Sequence, residues 1–166
     1  MKKTLMVLFI SVVMVTALFA YEGSTSASFA YSYREGNYLG ISSDNTGYFD
    51  SSSVGYYAGV DATFNVKDVT SWKVELLAGP SFRYSFNEAR VNVNASVGIS
   101  AEGTEEHFAF GIGSYLGAEW KVTDHFGLGV GVKLGNNFVS VPFNDLSITT
   151  NSRFFVTPVL GVEFYY

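Results

Sequence analysis

Apolar and polar residues alternate along most of this chain with a period of two, the spacing of a strand with one buried face. From Val54 the alternate positions are Val54, Tyr56, Ala58, Val60, Ala62, Phe64 and Val66, and between them stand Gly55, Tyr57, Gly59, Asp61, Thr63 and Asn65. The split recurs from Trp72 to Phe86, from Val91 to Ile99, from Phe108 to Val122, from Phe126 to Leu134 and from Phe154 to Tyr166. These segments predict antiparallel strands. Many exceed the five or six residues usual in globular sheets and reach the roughly 9 to 11 that cross a bilayer at a tilt.

A soluble sandwich also alternates, so the two faces decide between the readings. Full charges (Asp61, Lys73, Glu75, Arg83, Glu119, Lys121, Lys133 and Glu163) all fall on the polar face in mid-strand, and none falls on the apolar face. Glycine also clusters on the polar face, where a narrow barrel interior would be crowded and a solvated face would not need it. An apolar face toward lipid and a polar face toward a lumen is the pattern of a membrane barrel. Trp72, Phe86, Trp120, Phe126, Phe154 and Tyr166 share the apolar parity near predicted strand ends, as an interfacial girdle requires.

Loop lengths orient the barrel. Residues 123–125 form a tight Thr-Asp-His turn and residues 142–152 a longer polar loop; short turns are periplasmic and long loops external in such barrels. Counting back, 102–106 is external, 87–89 periplasmic and 67–71 external. A periplasmic start then needs two more strands, 27–34 and 37–43, with Asp44-Asn45-Thr46-Gly47 as a periplasmic turn. The expectation is an all-β, up-and-down antiparallel transmembrane barrel of about eight strands. Were residues 35–52 one external loop, the count would fall to six.

Composition sharpens this. Charged residues make up 15% of the 166 residues, where a soluble domain has about a quarter. Residues 1–20 carry Lys2 and Lys3, an apolar run from Leu5 to Val15 and small residues at Ala17 and Ala20, which reads as a secretory signal peptide cleaved after Ala20 or, second, after Ala17. The barrel domain is then 21–166. Losing both lysines moves the formal charge from −5 to −7, so nucleic acid is not an expected partner. With no cysteine, disulfides, thiolate metal sites and cysteine nucleophiles are excluded.

The string GSYLGAEWKVTDHFGLGVGVKLG, followed by a loop and FFVTPVLGVEFYY, resembles the closing hairpins of small outer-membrane barrels: the OmpA membrane domain, OmpX, OmpW and the opacity-type proteins. The resemblance covers the last third of the chain and does not choose among those families. It implies the outer membrane of a diderm bacterium, with its lipid and the barrel-assembly machinery as partners. It also implies that Leu160, Val162, Phe164 and Tyr166 form the signal read at insertion, with Tyr166 where Phe is usual.

The eight inward charges supply both signs, and the reading favoured is a structural ion-pair network filling a lumen just wide enough for side chains. The alternative is a narrow channel or a porter for small hydrophobic molecules. For that, inward Tyr57, Leu77, Tyr115, Phe155 and Val159 are placed to line an apolar groove of the kind that resemblance to OmpW implies. His107 and His125 lie at opposite ends of one strand and read as solvated rim residues, and no nucleophile–base–acid spacing suggests an enzyme. No cofactor or metal is implied. The expected function is non-enzymatic: envelope integrity, or adhesion to a host or surface ligand through external loops.

Overall fold

The computed structural model describes residues 22–34, 36–49, 52–68, 70–145 and 147–166. The signal-peptide reading lies outside them. Eight strands follow one another: β1 Glu22–Arg34, β2 Gly36–Tyr48, β3 Val54–Asn65, β4 Trp72–Phe86, β5 Val91–Thr104, β6 His107–Lys121, β7 Phe126–Pro142 and β8 Thr149–Tyr165. A single 3-10 turn, Asn87–Ala89, joins β4 to β5. Each strand pairs antiparallel with its sequence neighbours, and β8 returns to β1, so the sheet closes as an up-and-down barrel without an edge. Closure leaves no row of unpaired backbone groups, a requirement in hydrocarbon.

Alternation decides which side chains go where. Along β3 to β8 the outward positions are mostly apolar and exposed, as at Ile99 (71%) and Leu160 (63%), whereas the inward ones are mostly polar or small and buried, as at Asp61 (2%) and Lys133 (1%). No charged side chain on the described strands takes the outward parity. A soluble sandwich would show the reverse, with its apolar set hidden.

The first hairpin corrects the sequence reading. Residues 44–47 are strand, not turn; β1 starts at Glu22 and β2 runs to Tyr48, with the turn between Tyr48 and Val54. Asp-Asn-Thr-Gly favours turns as an isolated tetrapeptide. Here all four residues pair with β3, and Asn45, Thr46 and Gly47 pair with β1 as well, while the Asp44 N–H donates to Ser26 Oγ at 3.1 Å; ladder pairing outweighs local preference. The loops at the end away from the chain termini also shrink. β5 reaches Thr104, leaving 105–106, and β7 and β8 leave only 143–148 instead of 142–152.

Candidate functional site: the barrel interior and its two mouths

The centre of the interior is built around one ammonium. Lys133 of β7 donates to Asp44 Oδ1 of β2 and Asp61 Oδ1 of β3, each at 2.6 Å, and to Ser42 Oγ at 2.8 Å. All three of its donors are used. Tyr57 OH donates to Asp44 Oδ1 at 2.7 Å, and the hydroxyls of Ser26 and Ser42 donate to Asp44 Oδ2 at 3.3 and 3.2 Å. The Tyr57 ring stacks on Tyr115, centroids 4.6 Å apart. A Cβ at Gly117 would stand 2.1 Å from Tyr115 Oη, and one at Gly131 2.5 Å from its Cε2, so glycine on both flanking strands makes room for the stack.

Toward the far mouth, Lys73 Nζ lies 3.3 Å from Glu75 Oε2 and donates to Ser32 Oγ at 2.6 Å. Ser32 donates to Glu75 at 3.2 Å, and Thr157 donates to Ser32 at 2.8 Å, tying β4 to β1 and β8 across the lumen. At that mouth His107 Nε2 meets both Arg153 Nη1, at 2.5 Å, and Glu102 Oε1, at 3.4 Å, while Thr104 Oγ1 lies 3.1 Å from Nδ1. His107 is thus a half-buried group with polar contacts, which corrects the solvated-rim reading; His125 is exposed.

Toward the terminal mouth, Tyr48 OH donates to Asn94 Oδ1 at 2.8 Å, Asn94 Nδ2 donates to Glu119 Oε1, and Tyr165 OH donates to Glu119 Oε2 at 3.4 Å. Glu163 is buried nearby. Arg83 and Lys121 sit at the rim, over the rings of Tyr48 and Tyr165.

Of the eight inward charges, the structure thus bonds Lys133 to Asp61 and Lys73 to Glu75. It places Arg83, Lys121, Glu119 and Glu163 together in the terminal half without an ion pair among them within 4 Å. Tyr57, Leu77, Tyr115 and Val159 form, with Ala30, one packed cluster. Phe155 is buried against Gly135, where a Cβ would stand 2.3 Å from its ring. All five are buried in the interior. Cavities of about 250 and 200 Å³ lie at the terminal and far mouths.

Leu160, Phe164 and Tyr166 are exposed on the outer face, and Val162 is half-covered there. Tyr166 has a second engagement: its hydroxyl accepts from Asn45 Nδ2 at 3.2 Å, above Gly23, where a Cβ would stand 2.7 Å from it. In the far loops, hydrogen bonds from the Thr70 hydroxyl and N–H hold the Asp68 carboxyl below its usual range, and those from the Ser147 N–H and hydroxyl do the same for Asp145. Both acids organise loop turns.

Sequence reasoning missed Asp44 by assigning it to a turn, although it continues the inward parity of Gly40 and Ser42. It also missed Glu102, which it placed in a loop, and Arg153, which it put on the polar face of the last strand without counting it among the inward charges.

No family model and no curated protein matches the sequence. Solved structures do match in shape. Neisserial surface protein A aligns over 87% of this chain and 96% of its own, with a TM-score of 0.64 at 10% identity. The attachment invasion locus protein Ail of Yersinia pestis aligns over 89% and 100%, with a TM-score of 0.60 at 15% identity. Ail in complex with the heparin analogue sucrose octasulfate aligns over 87% and 98%, with a TM-score of 0.54 at 15% identity. Set beside the outward apolar face and the closed ring, these likenesses give the chain the fold of the small eight-stranded outer-membrane β-barrels.

Proposed function

We propose that this chain is a non-conducting, non-enzymatic barrel of the outer membrane that acts through envelope integrity and surface contact. The observation that carries the reading is the occluded centre: the Tyr57–Tyr115 stack, with Lys133 clamped between Asp44 and Asp61 beside it, fills the lumen at mid-height. An eight-stranded interior leaves no bypass once such side chains meet. A porter for small hydrophobic molecules would need Leu77, Val159 and the two tyrosines to stand apart, and they are in contact.

Surface contact falls to the β7–β8 hairpin. Seventeen residues at ~3.3 Å each, tilted by about 40°, rise about 43 Å against an apolar band of roughly 25 Å. The excess gives the hairpin length to stand clear of lipid, and it carries exposed Phe138, Phe143 and Ile148. The far mouth is taken as external and the termini as periplasmic, with residues 1–20 removed on export and Leu160, Val162, Phe164 and Tyr166 read by the assembly machinery. That the relatives in fold are a surface protein and an attachment protein agrees with this role. A polyanion such as Ail's octasulfate gains little from this far mouth, because Glu102, Glu105 and Glu106 outnumber Lys73 and Arg153 in its lining.

Planar-bilayer recording tests the first half: purified barrel gives no stable conductance steps, and steps would refute occlusion. For the second, cells expressing a form with 143–148 replaced by a Gly-Ser turn lose surface attachment while keeping the heat-modifiable band. Attachment equal to that of the parent would remove the hairpin from the reading.

A further inference from the structure

The cavity of about 250 Å³ at the terminal mouth is faced by three cations from three elements: Arg83 of β4, Arg90 of the turn after the 3-10 segment and Lys121 of β6. Arg83 Nη2 is engaged by Glu22 at 3.1 Å. Arg90 and Lys121 have no carboxylate within 4 Å among the described residues; Arg90 Nη1 reaches only the Val122 carbonyl, at 3.4 Å, and the Lys121 ammonium only the Tyr165 ring. Asn92, 5% exposed, adds a fourth donor to the wall, since its Nδ2 is buried and lacks a hydrogen-bond partner. Glu119 lies behind this wall, within the field of Arg83 and Lys121 and close to the Asn92 amide, but the contacts that meet hydrogen-bond geometry go to Asn94 and Tyr165, which leaves Asn92 Nδ2 without a full bond.

The backbone singles out the same place. Arg90, with φ of 54°, is the one non-glycine residue with positive φ among the described residues, at a cap position where glycine is the ordinary choice. Its N–H closes the turn on the Asn87 carbonyl at 3.2 Å, and any residue would supply that bond. The guanidinium is therefore not needed by the turn that holds it, and strained positions of this kind gather at ligand sites.

We infer that the terminal mouth binds a phosphate group. The lining carries three positive charges against Glu22 and presents two guanidiniums, an ammonium and an amide N–H, all donors. That set matches a dianion with several acceptor oxygens better than a lone carboxylate. The phosphate can arrive free in solution or on a lipid headgroup.

The test uses the refolded barrel in a phosphate-free maltoside detergent, titrated calorimetrically with inorganic phosphate in one arm and short-chain phosphatidic acid in the other. Arg90→Gly suits the left-handed backbone and removes only the side chain; Lys121→Gln removes the ammonium. Retention of the heat-modifiable band shows that each variant folds. Losing one charge-assisted contact weakens binding about tenfold or more. Binding of either probe that falls this far in both variants supports the site, and the probe that binds names the source. Absence of binding in both arms, or binding that both variants leave intact, overturns it.

Discussion

Replacing Lys133 by Met tests the central clamp most directly. The substitution keeps the length of the side chain and deletes an ammonium that bonds two carboxylates at 2.6 Å and is 1% exposed. Asp44 keeps the hydroxyls of Tyr57, Ser26 and Ser42, but Asp61 loses the only group bonded to it among the described residues. Breaking a buried ion pair by removing one partner costs about 3–5 kcal/mol, because the remaining charge stays desolvated. At ~1.36 kcal/mol per decade, the folded-to-unfolded ratio falls by roughly two to nearly four orders of magnitude. Urea unfolding in phospholipid vesicles measures this through the fluorescence of Trp72 and Trp120, both on the outer face.

A second variant separates charge from shape. Lys133→Met combined with Asp44→Asn and Asp61→Asn leaves the site neutral, and neutral replacements of buried ion networks cost far less than a half-broken one. The triple variant is expected to recover most of the loss. A single variant destabilised by less than about 1 kcal/mol would refute the clamp as described, as would a triple variant no better than the single.

Gly131→Ala, whose Cβ would meet Tyr115 Cε2 at 2.5 Å, forces the ring off Tyr57 and costs about 1–3 kcal/mol, visible as a lower midpoint in the same unfolding assay. Tyr57→Ala with Tyr115→Ala empties the central layer, and single-channel recording should then show conductance steps absent from the parent. Tyr166→Phe removes the hydroxyl that accepts from Asn45 and costs on the order of 1 kcal/mol, read as earlier loss of the heat-modifiable band on warming. Leu116→Arg places a charge in mid-strand on the outer face and costs about 2–4 kcal/mol in vesicles, whereas the same outward position facing water instead of lipid would tolerate it.

The strands that were legible are those whose two faces differ in size as well as polarity. From Val54 through Leu134 the outward side is repeatedly Val, Leu, Ile, Phe or Trp, and the ladder follows that pattern. The first hairpin lacks the contrast. Toward its terminal end, Thr25, Ser43, Asn45 and Gly47 take outward positions while Ser24, Ser26, Asp44 and Thr46 take inward ones, so both faces read as polar. The outward polarity is tolerable because Asn45 donates to Thr25 and to Tyr166 and is 2% exposed. Its cover comes from a residue 121 positions later, and no local window contains that information.

The interior charges show a different limit: parity assigns a side chain to the lumen but says nothing of its height or of which strand it faces. Taken by parity, four acids and four bases balance, which suggests pairing throughout. Asp44 upsets that balance, because Lys133 is claimed by two acids, one on β2 and one on β3, reached across the lumen. Glu119 and Glu163 are then left in the terminal half, and the cations that would answer them, Arg83 and Lys121, stand at the rim beside Arg90. A carboxylate pair held below a ring of cations draws their field inward yet leaves their donors facing the mouth. The misplaced turn at residues 44–47 therefore hid more than a strand boundary: with Asp44 restored to the lumen, cations with unfilled donors collect at one end of the barrel, where an anion from solution or membrane can reach them.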